Sequence, residues 1–302
     1  MSNRISLLFD LNKSLNIAEK IVLGTAQFGI DYGIANLNGK LAKDDVFKIL
    51  TCAWEKGVRR FDTAPSYGTE SLLGEFFKAN SLREEIKILT KLPSLDEVSD
   101  YKTAIRKNID ASLKNLGAPI EVLLFHKPSD SGLLLTDPQF FEDLLHNYPV
   151  STLGVSVYEP KEVETLTECL FELAFQFPLN VLDRRFKKVS MPKGMRYGRS
   201  IFLQGLLATG SSLRLNAPLE LFNLQQKYHD KLAKYNLDPV HFAVSFVVQN
   251  DYMDFILIGV DSVLQLLHIL NLDLNNQKDK TIFFDTLVLK SDERWLDPRN
   301  WR

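Results

Sequence analysis

The chain has 302 residues, 45% of them hydrophobic and 25% charged, with 36 Lys and Arg against 38 Asp and Glu for a formal net charge of -2. That length buries a sizeable core, and α/β barrels commonly run about 250 residues as one domain, so a single domain over residues 1–302 is expected. A near-neutral balance gives no field for a nucleic acid or an anionic membrane surface.

The N-terminal extension, residues 1–20, has a short apolar patch broken by Asp10 and Lys13 and reads as neither a secretory signal nor a span. The composition therefore implies a cytoplasmic protein. From there short β-branched runs alternate with amphipathic stretches, the pattern of repeated βα units. Strands are expected at Ile21 to Ala26, Val58 to Asp62, Ile86 to Lys91, Val122 to His126, Thr152 to Val155, Phe171 to Phe175, Arg199 to Leu203 and Phe255 to Gly259. Eight strands is the count of a (β/α)8 barrel. Helices are expected at Asp44 to Glu55, Tyr101 to Leu116, Asp137 to His146, Pro160 to Leu166, Leu219 to Tyr235 and Ser262 to Leu270. Asp238 and Pro239 supply a capping carboxylate and an N1 proline for a further, nearly apolar helix over His241 to Val248. A tail over residues 271–302, with TIFFDTLVLK and WLDPRNW, carries enough aromatics to dock, on a face the sequence leaves open. The two cysteines, Cys52 and Cys169, each lie alone in an apolar stretch and read as structural thiols. The five histidines form no zinc-type pair.

In a parallel barrel, chemistry sits where the strands end at their C-terminal side. Four polar residues fall there. Asp62 closes the second strand in RRFDTAPSYG, Tyr67 follows in the loop, Lys91 closes the third in KILTKL and His126 the fourth in EVLLFHKP. Successive parallel strands are neighbours, so the four side chains converge. The set suits protonation of a carbonyl oxygen as hydride reaches its carbon. Tyrosine, with a reference pKa near ~10, keeps its proton at neutral pH; Lys91 supplies a charge that stabilises the phenolate, Asp62 keeps that ammonium paired, and a neutral His126 orients the carbonyl.

FDTAPSYG followed by ILTKL and LLFHKP resembles the catalytic tetrad of the aldo-keto reductases, and the likeness extends over about residues 21 to 270. It implies a soluble NAD(P)H-dependent carbonyl reductase acting on a small aldehyde or ketone, with Tyr67 as proton donor. Further segments are similar to the family's cofactor site: VLGTAQFG (Gly24, Thr25), GVSVY (Ser156), FQFPLNVLDRR (Gln176), RSIFLQGLL (Arg199, Ser200, Phe202, Gln204, Gly205) and LIGVDSVLQL (Gly259, Val260, Asp261, Ser262, Gln265). In the family the serine and glutamine hold the nicotinamide carboxamide. Phe28, Tyr32 and Tyr158 are expected to line the substrate pocket. VLGTAQFGIDYGIAN, RSIFLQGLL and the DPRNW ending resemble a bacterial subgroup encoded near surface-polysaccharide genes, which implies a keto-sugar substrate.

Several positions depart from the family pattern. Val157 replaces an asparagine that contacts the carboxamide, Arg199 stands where an aromatic ring faces the nicotinamide, and His268 and Ile269 replace a Glu and an Asn near the adenine. The family default is NADP(H), but LIGVDSVLQL has no Lys or Arg for a 2′-phosphate, which leaves NAD(H) open. The same departures motivate an alternative, a nicotinamide-binding regulatory protein with little turnover. A redox-assisted sugar epimerase or dehydratase is a second one.

Overall fold

In the computed structural model, residues 16–37, 39–82, 85–209, 213–214, 217–250, 252–274 and 293–301 are described. Residues 1–15 of the N-terminal extension and the TIFFDTLVLK segment lie outside them.

The chain enters through a single turn, α1 (Ile17–Lys20), whose Ile17 and Ala18 are buried below the start of the first strand. The elements then follow as β1 (Ile21–Gly24), α2 (Ala26–Gly29), α3 (Lys43–Glu55), β2 (Arg60–Asp62), α4 (Glu70–Ala79), β3 (Lys87–Leu92), α5 (Tyr101–Leu116) and β4 (Ile120–Phe125). The second half adds α6 (Leu133–Thr136), α7 (Pro138–Asn147), β5 (Val150–Ser156), α8 (Pro160–Glu164), β6 (Ala174–Pro178), β7 (Arg196–Arg199), α9 (Leu219–Ala233), α10 (Pro239–Val248), β8 (Phe255–Gly259) and α11 (Val263–Leu270). The strands close as β1-β2-β3-β4-β5-β6-β7-β8, parallel throughout, so the expected (β/α)8 barrel is the fold.

Two strands sit elsewhere than their sequence pattern suggests. The sixth is Ala174–Pro178 rather than Phe171 to Phe175, and the seventh is Arg196–Arg199 rather than Arg199 to Leu203. The apolar SIFLQGLL run misleads because its backbone leaves the extended region: Ser200, Leu203 and Gln204 have φ of 60°, 46° and 55°. A strand cannot hold left-handed residues, so this run wraps the barrel mouth instead. Helix α4, absent from the helices expected above, buries Leu73, Phe76 and Phe77 against the barrel. Helix α10 starts as expected, with the Asp238 carboxylate accepting from the His241 N–H at 2.6 Å.

Two apolar layers result. Val22, Leu89, Val122, Leu124, Ala174 and Tyr197 fill the barrel, and a larger cluster of Ile, Leu, Val and Phe packs between strands and helices. Cys52 and Cys169 are unpaired and half-buried among that outer packing, where burial raises both thiols above their ordinary pKa. No helix among the described residues is long and apolar enough to cross a membrane.

Candidate active site

Side chains on one strand alternate between the barrel interior and the helix layer, and residues paired across neighbouring strands face the same way. Counting two residues past each inner-layer side chain therefore gives the residue that tops the barrel. From Val22, Leu89, Leu124, Ala174, Tyr197 and Leu257 this yields Gly24, Lys91, His126, Gln176, Arg199 and Gly259. Asp62 joins them because it pairs with both Gly24 and Leu89, and Ser156 because it pairs with Gln176. Each strand thus places one residue at the mouth, and all eight line one cavity of about 430 Å³.

Within this ring the tetrad residues converge as expected. Lys91 is only 2% exposed and Asp62 4%, and their contact is bidentate: Lys91 Nζ donates to Asp62 Oδ1 at 2.7 Å and Oδ2 at 2.8 Å, with a third bond to the Thr63 carbonyl at 2.8 Å. Gln176 Nε2 donates to Asp62 Oδ2 at 2.8 Å, and Gln176 Oε1 accepts from Ser156 Oγ at 3.3 Å. A buried ammonium is costly unless paired and hydrogen-bonded, and this network supplies both conditions. The ammonium lies 4.9 Å from the centre of the Tyr67 ring, and the Tyr67 and His126 rings meet edge to face at 6.3 Å. No hydrogen bond engages the Tyr67 hydroxyl or the His126 ring among the described residues, which leaves both free for a ligand oxygen.

Two titratable groups at the mouth are strongly shifted. Burial, then the Asp62 charge and Tyr158, push the Tyr67 hydroxyl well above the ordinary tyrosine range, with Arg199 opposing. Tyr67 is therefore a fully protonated donor. Burial, and then the Lys91 charge, lower His126 to about 4, so its ring is neutral at physiological pH.

This shift fixes a stability test. An unfolded histidine takes up its proton near ~6.5, whereas folded His126 resists until about 4. Its contribution is present above the first value and fades as pH falls to the second, with a size on the order of 2 to 3 kcal/mol. Denaturant titrations between these pH values are expected to show the wild type losing more stability than His126→Asn. Parallel losses would contradict a buried neutral imidazole.

The loop that carries Tyr67 is fixed from below. Thr25 Oγ1 donates to the Asp62 carbonyl at 2.9 Å and lies 3.0 Å from Thr69 Oγ1, which is 2.7 Å from Thr63 Oγ1. The Thr25 side chain is thus spent on joining β1 to β2. Gly29 is a positioning residue that the sequence reading missed: a Cβ there would stand 1.7 Å from the Tyr67 carbonyl oxygen. Gly29→Ala is expected to push the Tyr67 loop away, costing about 1 to 3 kcal/mol of stability and most of the turnover with cofactor affinity kept. Turnover equal to wild type would show that the close approach is unnecessary.

Three expected site residues do not line the cavity. Phe28 is buried in the core because the turn of α2 points it inward and presents Gln27 to the cavity instead. Val260 is 1% exposed and packs in the core, and Ser262 caps α11 by accepting from the Gln265 N–H at 3.3 Å. Tyr32, Tyr158, Ser200, Phe202, Gln204, Gly205, Asp261 and Gln265 do line it, as do His268 and Ile269. Tyr32 keeps 39% of its surface exposed, while its hydroxyl is pushed up to about 12, chiefly by burial and by Tyr67. Gly205 has φ +92° and stands so close to Ala35 that a Cβ would lie 2.6 Å from the Ala35 Cβ, which makes glycine the fitting residue.

The two ring glycines are register partners, Gly24 against Gly259, with the Gln27 amide lying so close over Gly259 that a Cβ there would stand 2.4 Å from its Oε1, and the cavity continues to Asp261, Gln265 and His268. Gln265 Oε1 accepts from the Asp261 N–H at 3.0 Å, and burial raises the Asp261 carboxyl. Asp238, also lining this end, pairs with His268 at 3.5 Å. On the opposite side the described tail, residues 293–301, docks over the mouth. Arg299 stacks on Tyr158 at 3.6 Å, and Trp301 is buried with its Nε1 donating to the Trp295 carbonyl at 3.2 Å. The face left open by the sequence is thus the one that carries the site. A cavity lined from Tyr67 and His126 to Asp261 and His268, with amide and hydroxyl groups from Gln27, Ser156, Gln176 and Ser200 along it, fits a dinucleotide. Among the described residues no group of three or more His, Cys, Asp or Glu could hold a metal.

Comparison with known proteins agrees with this geometry. The family model described as "Aldo/keto reductase family" matches residues 20–281. Pyridoxal 4-dehydrogenase of Microbacterium luteolum is 23% identical over 81% of this chain and 86% of its own. Aldo-keto reductase YhdN of Bacillus subtilis is 23% identical over 80% and 81%. D-threo-aldose 1-dehydrogenase of a Pseudomonas species is 31% identical over 35% of this chain and 41% of its own. The chain spans less than half the length of several curated relatives it matches, among them an aldo-keto reductase of Mycolicibacterium smegmatis, 30% identical over 46% of that protein. A solved Pseudomonas aeruginosa structure described as an aldo-keto reductase superposes with a TM-score of 0.61 at 20% identity, covering 88% of this chain and 95% of the other.

Proposed function

Because this chain belongs to the aldo/keto reductase family, we propose that it is an NAD(P)H-dependent carbonyl reductase, a single barrel domain with Tyr67 as its proton donor. The observation that carries this reading is the Lys91 ammonium, clamped on Asp62 at 2.7 and 2.8 Å beneath a Tyr67 ring whose hydroxyl faces no protein partner. When bound, the cofactor supplies hydride to the carbonyl carbon. The protein's residues manage the oxygen: Tyr67 donates its proton, neutral His126 donates a second hydrogen bond, and Ser156 and Gln176 hold the carboxamide. For a phosphate group the left-handed Ser200 and Gln204 on the cavity wall are the candidates, since the Leu203 and Gly205 N–H groups already donate to the Ser200 and Phe202 carbonyls at 3.0 Å.

A keto-sugar or other sugar-derived carbonyl is the substrate class this reading favours, supported by the sequence likeness to a polysaccharide-linked subgroup and by similarity to a D-threo-aldose dehydrogenase. The test is spectrophotometric: purified protein, NADPH or NADH, and a panel of aldehydes, ketones and keto-sugars. Carbonyl-dependent loss of reduced cofactor is expected. Tight cofactor binding with no net consumption across the panel would overturn the reductase reading in favour of the binding protein or the epimerase.

Discrimination between the two cofactors should be weak. The far end of the channel holds Asp238, Asp261, Gln265 and His268 and no Lys or Arg among the described residues, so a 2′-phosphate finds no dedicated cation. A missing charged contact forfeits about 1.5 to 3 kcal/mol, or roughly tenfold to over a hundredfold in affinity. Titration should give NADPH and NADH dissociation constants within that range. A preference for NADPH of about a thousandfold or more would contradict this assignment of the adenosine end.

A further inference from the structure

Of the eight ring residues, two are cations, and they are treated differently. Lys91 is neutralised by Asp62. Arg199 has no carboxylate within ion-pair distance among the described residues. Its Nη2 donates to the Val157 carbonyl at 3.0 Å and its Nη1 to Ser200 Oγ at 3.2 Å, while its Nε is buried with no acceptor. Its guanidinium lies 4.1 Å from the centre of the Tyr158 ring. Arg299 lies 3.6 Å from the same centre. Two guanidinium planes cannot occupy one face at those distances, so Tyr158 is clasped between them. Arg299 is itself held by Asp297 at 2.9 and 3.0 Å, and that carboxylate also feels the Arg199 charge, more weakly than that of Arg299 and without forming an ion pair with it.

Arg199 is therefore a fixed positive charge with two hydrogen bonds and an aromatic plane holding it at the mouth. Its place is defined by register: it pairs with Pro178, two residues beyond Gln176, and Gln176 pairs with Ser156. Its field reaches Tyr67 and His126, whose proton affinities it opposes. A ring whose carboxamide is held by Ser156 and Gln176, and whose reactive carbon addresses a carbonyl at Tyr67 and His126, must lie beside this charge. The reduced nicotinamide ring is neutral and the oxidised ring carries a positive charge. Like charges in a site walled off from water repel far more than in bulk solvent.

We infer that Arg199 makes the site select the reduced over the oxidised form of the nicotinamide cofactor, so that spent cofactor is expelled by charge. The inference rests on the reductase reading, and it adds a direction: the protein loads reduced cofactor even when the oxidised form is in excess. The alternative use of such a cation, as an anchor for an anionic group on the substrate, predicts no difference between cofactor forms in the absence of substrate.

Four ligands, NADH, NAD⁺, NADPH and NADP⁺, titrated by calorimetry against wild type, Arg199→Leu and Arg199→Lys without any carbonyl compound, provide the test. Wild type should bind each reduced form about 10- to 100-fold more tightly than its oxidised partner. Arg199→Leu should narrow that ratio at least tenfold, mainly through tighter binding of the oxidised form, equivalent to about 30 mV in the potential of the bound couple. Arg199→Lys, which keeps the charge without the planar stack, should retain most of the wild-type ratio and serves if the leucine variant fails to fold. Equal affinity for both forms in wild type, an unchanged ratio in Arg199→Leu, or the same narrowing in Arg199→Lys would each overturn the inference while leaving the reductase reading intact. Failure of wild type to bind any of the four would overturn the reductase reading with it.

Discussion

Replacing Tyr67 with phenylalanine is expected to lower carbonyl reduction by ~10²- to 10⁴-fold, the usual cost of losing a general acid, while reduced-cofactor affinity changes by no more than about two- to threefold. The ring remains to fill its place over Lys91, 4.9 Å from the ammonium, and only the hydroxyl is lost. Burial and the Asp62 charge keep that hydroxyl protonated well beyond the ordinary tyrosine range. The pH profile of wild-type kcat/KM, which reports the free enzyme, should therefore show no loss of the Tyr67 proton below the ordinary tyrosine value near ~10. Should Tyr67→Phe keep more than about half of wild-type turnover, the proton-donor assignment fails and a cofactor-binding protein becomes the better account.

Lys91→Met is expected to act on stability and on chemistry together. Removing the ammonium strands the buried Asp62 carboxylate with a single side-chain donor, Gln176 Nε2 at 2.8 Å. Breaking a buried ion pair from one side costs about 3 to 5 kcal/mol, whereas replacing both partners with apolar side chains is often close to neutral. Denaturant unfolding should therefore rank wild type and the double variant Lys91→Met/Asp62→Leu near one another, with Lys91→Met well below both. Neither variant should reduce a carbonyl at a measurable fraction of the wild-type rate. A Lys91→Met protein as stable as wild type would mean that the pair is solvated in solution, against its 2% and 4% exposure.

The tetrad was legible because its chemistry is tied to strand ends. Asp62, Lys91 and His126 each close an apolar run, and no tertiary information is needed to see that such positions meet at one mouth of a parallel barrel. Residues in loops were less legible. Phe28 and Gln27 are adjacent in a stretch with no periodicity, and only the turn of α2 decides that the phenylalanine goes into the core and the amide into the cavity. The seventh strand failed for a related reason: SIFLQGLL is as apolar as a strand, and nothing in side-chain pattern reports that Ser200, Leu203 and Gln204 adopt positive φ.

By itself the sequence determined the barrel, the eight-unit alternation, and the four residues that converge at its mouth, since hydrophobic periodicity and strand-end polarity are local properties of the chain. Only the tertiary structure decided how their charges balance. Lys91 is ion-paired with Asp62, and Arg199 is left as the ring cation with no ion-pair partner among the described residues, because its nearest partners are a carbonyl, a hydroxyl and an aromatic face. Arg299 reaches Tyr158 across 141 positions of sequence, and no local pattern encodes which face of a barrel a tail will cover. Charge balance and burial depend on which side chains meet across the whole fold, and that is settled by packing rather than by spacing along the chain.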